Sequence, residues 1–253
     1  MTRRRLDKTF LTLVPALIFL VSAPAFAADS DWEYGGEIYL WGATITSSTP
    51  GGRDAELPFY KILDDLQMTF MGAAGARNDK WSFVSDIIYL DLKDKVNRDH
   101  STPGGREAEI TGDVELKSWI VTPMVGYAIH NSEKARVDIV GGVRYLWLKA
   151  GAEVYFDGDE RFNESTSDSY WDAVIGMRAR VNLNEKWFVP LYFDIGTGDT
   201  DGTWQALAGI GYQFNSFSTT LAYRYLDFNF DDDNRVLAEM KVNGALLGFT
   251  FVF

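Results

Sequence analysis

The 253-residue sequence predicts an all-β chain, a closed antiparallel up-and-down transmembrane β-barrel of about ten strands, with eight as the competing count. Three observations lead there. Charges in the strand-like segments keep to one face of a two-residue period. Short and long links alternate between those segments. The chain opens on an export-type segment and closes on an apolar strand.

The start is read first. Arg3, Arg4, Arg5 and Lys8 precede an apolar run from Phe10 to Val21, and Ala25-Phe26-Ala27 follows as a small-x-small cleavage site. This is the three-part plan of a secretory signal peptide over residues 1–27, leaving a barrel domain over 28–253. As a membrane anchor the run is short, and Pro15 breaks it. Removing a segment of net charge +3 from a chain of −12 leaves the mature part near −15. So acidic a chain is not expected to bind nucleic acid, which calls for a basic face. Cysteine is absent, so disulfides and thiolate chemistry are excluded. After Ala28 no run of about 18 apolar residues occurs, so no membrane helix is expected.

Ten segments alternate. They cover about 32–45, 68–77, 81–93, 110–129, 136–155, 170–183, 187–197, 203–214, 217–230 and 239–253. Tight turns at 78–80, 131–135, 184–186 and 215–216 each open on Asn, which tolerates turn backbone angles and bonds locally. The links 46–67, 94–109, 156–169, 198–202 and 231–238 are mostly longer. Short turns on one rim and longer loops on the other is the outer-membrane pattern, with the Asn turns on the periplasmic side.

The face assignment rests on charge. Trp81, Phe83, Ile87 and Tyr89 share a face opposite Asp86. Val137, Ile139, Val143, Tyr145 and Trp147 oppose Asp138 and Arg144. Trp171, Ala173, Ile175, Met177, Ala179 and Val181 oppose Asp172, Arg178 and Arg180. Trp187, Val189, Leu191, Phe193 and Ile195 oppose Asp194, and Leu221, Tyr223 and Tyr225 oppose Arg224. A slip of one residue turns every one of these charges outward. An Arg facing lipid at the midplane costs roughly 2–4 kcal/mol. The eight charges Asp86, Asp138, Arg144, Asp172, Arg178, Arg180, Asp194 and Arg224 are therefore expected to line the lumen.

Trp81 and Tyr89, Trp119 and Tyr127, and Trp204 and Tyr212 each stand eight residues apart on one face. Eight residues in a tilted strand rise about 20 Å, close to the apolar band between two aromatic girdles. At the end of the chain Leu247, Phe249, Phe251 and Phe253 share one face.

The segments WDAVIGMRAR, TWQALAGIGYQF, LAYRYLDFNFDDD and ALLGFTFVF, with LPFYKILDDLQMTFMGAAGARNDKWSF, resemble a widespread group of uncharacterised proteobacterial outer-membrane barrels, similar in architecture to small OmpA-like barrels. The resemblance covers nearly all of the mature chain. It implies location in the outer membrane and a last strand, Leu247 to Phe253, read by the barrel assembly machinery. It supplies no activity.

Three irregularities are expected. The faces of Leu226, Phe228 and Phe230 part from Tyr225, and Asp follows both Tyr89-Leu90 and Tyr225-Leu226, which reads as a β-bulge at the outer rim. Pro123 and Pro190 fall inside strands and read as bulges or kinks. Phe59, Ile62, Leu63 and Leu66 follow helical spacing after Pro58, so a short amphipathic helix is expected between strands one and two, either a packed turn or a cap for the barrel.

Candidate chemistry is thin. His130 and Ser132 lie two apart, but at a short-turn rim away from any outer-leaflet substrate. His100 with Asp94 and Asp99 sits in a polar link and reads as a solvated residue. Acidic groups at Asp157, Asp159 and Glu160, at Asp199 and Asp201, and at Asp231, Asp232 and Asp233 match no complete calcium loop. They read as solvated loops, with divalent bridging to lipopolysaccharide as the lesser reading. No catalytic, cofactor or metal residues are assigned. The inward charges either fill a narrow barrel as an ion-pair network or line a path for small solutes. Barrels near eight strands are filled by side chains, and open channels appear at roughly 16–18. The expected function is a structural or surface-interaction protein of the outer membrane, with lipid and lipopolysaccharide as surroundings. A narrow channel is the alternative, and a lipid or peptide hydrolase the least favoured.

Overall fold

The structure, a computed structural model, describes residues 31–48, 54–58, 60, 66–101, 107–156, 159–230 and 238–253. The export segment lies outside them, and the compact unit begins at Trp32. The strands are β1 (Glu33–Ser48), β2 (Asp54–Leu57), β3 (Leu66–Arg77), β4 (Trp81–Ser101), β5 (Glu107–Asn131), β6 (Ala135–Phe156), β7 (Asp159–Asn182), β8 (Trp187–Gly198), β9 (Gly202–Gln213), β10 (Ser218–Asn229) and β11 (Glu239–Val252). Each pairs antiparallel with its neighbour, and β11 returns to β1 from Gly35↔Val252 to Ser48↔Glu239. Ten strands, β1 and β3 to β11, therefore close a barrel. The four-residue β2 pairs with β1 over Ile45 to Ser48, above the end of the β1–β3 ladder.

Asn side chains build two of the short turns. The Asn78 side-chain oxygen accepts from the N–H groups of Lys80 and Trp81 at 2.9 and 2.7 Å. Asn184 does the same for Lys186 and Trp187 at 2.9 and 2.8 Å. At the opposite end the expected links shrink. Positions 94–101 pair with 107–114, and β7 starts at Asp159 rather than near 170. Both hairpins run on past the barrel rim because their ladders continue where the apolar alternation stops. A pattern read from one apolar face ends too early there.

Two of the three expected irregularities fall among the described residues. β10 holds a continuous register with β9 and β11 through Asn229, so no bulge occurs at Leu226. Leu226, Phe228 and Phe230 stay on the inward face with Arg224, and all four are buried. What changes along β10 is the chemistry of the bore, from charged to apolar. On β4 a register shift does fall opposite Asp91 and Leu92, between Leu66 and Met68 of β3. Pro123 and Pro190 shift no register. Pairing with β6 skips from Val121 to Met124, and pairing with β9 skips from Phe188 to Leu191, with the register sums unchanged. Each proline removes one donor and interrupts one ladder locally. A shift expected nowhere falls in β5 between Ala128 and His130, beside the turn to β6. The helix expected over Phe59 to Leu66 lies mainly outside the described residues, and Leu66 itself opens β3.

The outer wall is apolar. Ile38, Phe70, Phe83, Val125, Ile139, Ile175, Phe193, Ile210, Leu221 and Leu247 are all exposed on it. Aromatic pairs mark both edges of this band. Trp81 faces Tyr127 at 5.0 Å and Trp187 faces Tyr212 at 5.0 Å near the Asn turns. Tyr89 faces Trp119 at 4.4 Å, Tyr145 faces Trp171 at 4.5 Å and Trp204 stacks on Tyr225 at 4.6 Å toward the loops. The eight-residue spacing in two antiparallel neighbours thus puts one pair at each rim.

Candidate functional site

Even-numbered residues of β10 point inward without a break, so Ser218, Thr220, Ala222, Arg224, Leu226 and Phe228 sample the bore from the Asn-turn end to the loop end. The same order holds on other strands, and the bore has three zones.

The loop-side zone is an apolar plug. Leu146, Leu226 and Phe228 have no exposure, and Trp41, Ile88, Ile120, Leu148, Phe230, Met240 and Val242 pack with them. The plug spans β1, β4, β5, β6, β10 and β11, so it crosses the bore.

Beneath it lies a layer of buried charge. Arg144 donates to Asp194 at 2.6 Å and to the Thr203 hydroxyl at 2.9 Å. Tyr192 also donates to Asp194 through a short hydrogen bond. Arg224 donates to Asp86 at 2.6 Å, to Tyr39 Oη at 2.9 Å and to Gln205 at 2.8 Å. Tyr39 closes that ring by donating to Asp86 at 2.6 Å. The Arg224 guanidinium stands 4.8 Å from the Trp41 ring centre, within cation–π reach, and joins the charged layer to the plug. Charges this deep are tolerated because each is paired and hydrogen-bonded.

The Asn-turn side holds the remaining charges. Asp138 takes two arginines, Arg178 at 2.7 Å and Arg136 at 2.9 Å. Arg178 also donates to Ser82 at 2.8 Å. Arg180 has no carboxylate partner among the described residues. It lies 3.4 Å over the Phe188 ring and donates to Gln213 at 3.1 Å and Asn182 at 3.3 Å. Gly211 makes room for that ring, since a Cβ there sits 2.1 Å from Phe188 Cζ. Asp172 stands apart toward the loops. It accepts from the Thr200 N–H at 3.0 Å and hydroxyl at 2.9 Å and so pins the β8–β9 loop.

Of the eight charges expected in the lumen, Asp86, Asp138, Arg178, Arg180 and Arg224 line the cavity in the bore, and Arg144, Asp172 and Asp194 are buried. Among the described residues six of them belong to ion pairs, and Asp172 and Arg180 do not. Sequence reasoning missed Arg136, Tyr39, Tyr192, Glu37, Gln205, Thr203 and Ser82. Glu37, the one acid within the central part of β1, carried the signal, because it fixes the odd positions of β1 as inward and brings Tyr39 and Trp41 with it.

A cavity of about 370 Å³ occupies the bore from the Asn-turn rim, at Glu33, Arg77 and Val252, up to Tyr39, Asp86 and Arg224. None of Trp41, Leu146, Leu226 or Phe228 lines it.

The other candidates act in turns. His130 Nε2 is 3.1 Å from Ser132 Oγ, but that hydroxyl both donates to the Ala135 carbonyl and accepts from the Ala135 N–H. Asp199 accepts from the Trp171 N–H at 2.9 Å. The side chains of Asp94, Asp99 and His100, and those of the acidic groups at 157–160 and 231–233, lie outside the described residues. Above the girdle Lys117 donates to Glu115 at 2.6 Å and holds its carboxyl below the usual range. In β11, Leu247, Phe249 and Phe251 face outward, and the Phe253 N–H donates to the Tyr34 carbonyl at 2.8 Å across the closing seam.

No protein family matches the chain, and no curated protein matches it. The solved structures it is similar to are outer-membrane β-barrels. One is the outer membrane protease OmpT from Escherichia coli, at 13% identity, covering 87% of this chain and 97% of that one, with a TM-score of 0.46. Another is the translocator domain of the autotransporter NalP from Neisseria meningitidis, at 13% identity, covering 90% of each chain, with a TM-score of 0.48. A third is Ail, the attachment invasion locus protein of Yersinia pestis, at 13% identity, covering 88% of this chain and 98% of that one, with a TM-score of 0.37.

Proposed function

We propose that this chain is an integral outer-membrane protein with a closed bore, acting as a structural or surface-interaction protein through its loop-side hairpins. The observation that carries the reading is the blocked cross-section. Leu146, Leu226 and Phe228 are wholly buried inside the barrel, and directly beneath them Arg144 and Asp194 are equally buried. An open aqueous path leaves lumen side chains wet. The apolar outer band edged by aromatic pairs supports insertion in a bilayer. On this reading the surroundings are lipid and lipopolysaccharide, the export segment is removed, and the Leu247 to Phe253 strand is the signal for barrel assembly. The chain is read as no enzyme, because the Ser132 hydroxyl is committed to its turn and His130 lies at the short-turn rim.

Planar-bilayer recording tests the closed bore. The expected result is an absence of steady single-channel openings from protein that retains heat-modifiable gel migration. Steady openings overturn the reading in favour of the narrow channel. Lipid or peptide hydrolysis that disappears in the double variant His100→Ala, His130→Ala overturns the non-enzymatic reading.

A further inference from the structure

The cavity below the plug has a charge arrangement that closure of the bore does not require. Toward its mouth stand Arg77, Arg136, Arg178 and Arg180, against the carboxylates of Glu33 and Asp138. Arg77 is matched by Glu33 at 2.7 Å, and Arg136 and Arg178 share Asp138. Arg180 is matched by no acid among the described residues. Among the residues that line the cavity, the mouth half therefore has two more arginines than carboxylates. The floor holds Glu37 and Asp86 against Arg224, which is already bound to Asp86 at 2.6 Å. A bore that only needed filling has no reason to concentrate unmatched arginine at its open end, since each unpaired charge costs stability.

Arg180 is set for a ligand. Phe188 fixes its plane, and Asn182 and Gln213 take two of its five N–H groups, which leaves three for an acceptor. Arg77 and Arg180 line both the cavity and the wider recess at the Asn-turn rim, which puts both residues at the throat between them. A planar guanidinium with free donors suits a carboxylate or phosphate. Beyond the throat the wall turns apolar, with Ala73, Val84, Leu207 and Leu246. The volume is about 370 Å³, at the lower end of ligand pockets and roughly a dozen water volumes. That admits a medium-chain acid and excludes a whole phospholipid.

We propose that this vestibule binds a small amphipathic anion, its acidic head on Arg180 at the throat and its apolar body between Ala73 and Leu207. The paired floor sets the orientation, because Arg224 is already bound to Asp86 and the arginines in excess stand at the mouth. Access is from the Asn-turn side, since the plug closes the other end.

The test is isothermal titration of octanoate into the protein in phosphatidylcholine nanodiscs, with empty discs as the blank. One saturable site per barrel is expected, with octyltrimethylammonium giving none. Arg180→Gln keeps the stacking position and removes the charge, and it is expected to weaken octanoate binding tenfold or more. Ala73→Phe fills the apolar section while leaving every arginine in place, and it is expected to abolish binding. Leu207→Trp does the same from the opposite wall if Ala73→Phe fails to give a heat-modifiable barrel. The proposal is overturned by no saturable octanoate binding, by equal binding of the cation, or by an Arg180→Gln protein that binds as the parent does.

Discussion

Arg144 and Asp194 pair at 2.6 Å with neither side chain exposed to solvent. They come from β6 and β8, two strands apart in the wall, so the pair braces the bore from the inside. Removing one partner leaves a buried charge with no counter-charge, which costs about 3–5 kcal/mol, whereas replacing both with apolar groups of similar volume is often neutral. Asp194→Ala is therefore expected to lower stability by about that amount. The double variant Arg144→Met, Asp194→Leu is expected to recover most of it. Urea unfolding in lipid vesicles measures both. A single variant no worse than the double contradicts the bracing role.

Phe228 is the centre of the plug, with no exposure and a stacked neighbour in Phe230 at 6.3 Å. Truncating a fully buried Phe costs about 3–5 kcal/mol through lost burial and the cavity left behind. Phe228→Ala is expected to fall in that range in the same unfolding measurement. Phe249→Ala, on the outer wall and 38% exposed, is expected to cost distinctly less. Equal losses at the two sites argue against a packed plug.

The wall itself was legible because its signal is local and periodic. Asp86, Asp138, Asp172, Asp194 and Arg224 each mark a face, and one charge per strand suffices to fix a two-residue register. The plug was not legible in this way. Leu226 and Phe228 carry no sign of direction, and an apolar inward residue after an apolar outward one looks like a change of phase. Only the unbroken β10 ladder separates a bulge from a change in the bore's chemistry. Partners were equally hidden. Arg224 and Tyr39 meet at 2.9 Å across 185 residues of sequence, a contact that barrel closure creates and no spacing rule anticipates.

The outer face carries its own prediction. Ile175 is 61% exposed on β7, between the aromatic belts. A lysine facing lipid near the midplane costs roughly 2–4 kcal/mol, falling to about 0–1 near the interface. Ile175→Lys is thus expected to lose several times more stability in vesicles than Leu183→Lys at the turn after β7. The difference is expected to shrink in detergent, where water reaches the outer wall more easily. Equal effects at the two positions contradict the placement of the apolar band.

The shortest ladder in the barrel wall is the seam between β1 and β3. Their pairing ends at Ile38↔Gly72, although β3 continues to Leu66 and β1 to Ser48. Ser48 and Tyr34 offer their carbonyls toward β11, to Ala238 and Phe253, so even positions of β1 bond on that side and odd positions face β3. The Trp41 N–H accordingly reaches the Met71 thioether, at 3.4 Å. Sulfur is a weak acceptor, and an unpaired backbone group at membrane depth is costly. Local opening is drawn from such poorly bonded stretches. Amide exchange in nanodiscs is therefore expected to be faster at Trp41 and Ala43 than at Leu40 and Gly42, whose N–H groups face the complete β11 ladder. Met71→Leu removes the thioether acceptor and is expected to speed exchange at Trp41 further, with no change at Leu40. Uniform protection from Tyr39 to Thr44 means that the β1–β3 ladder is complete in the bilayer and the seam closed.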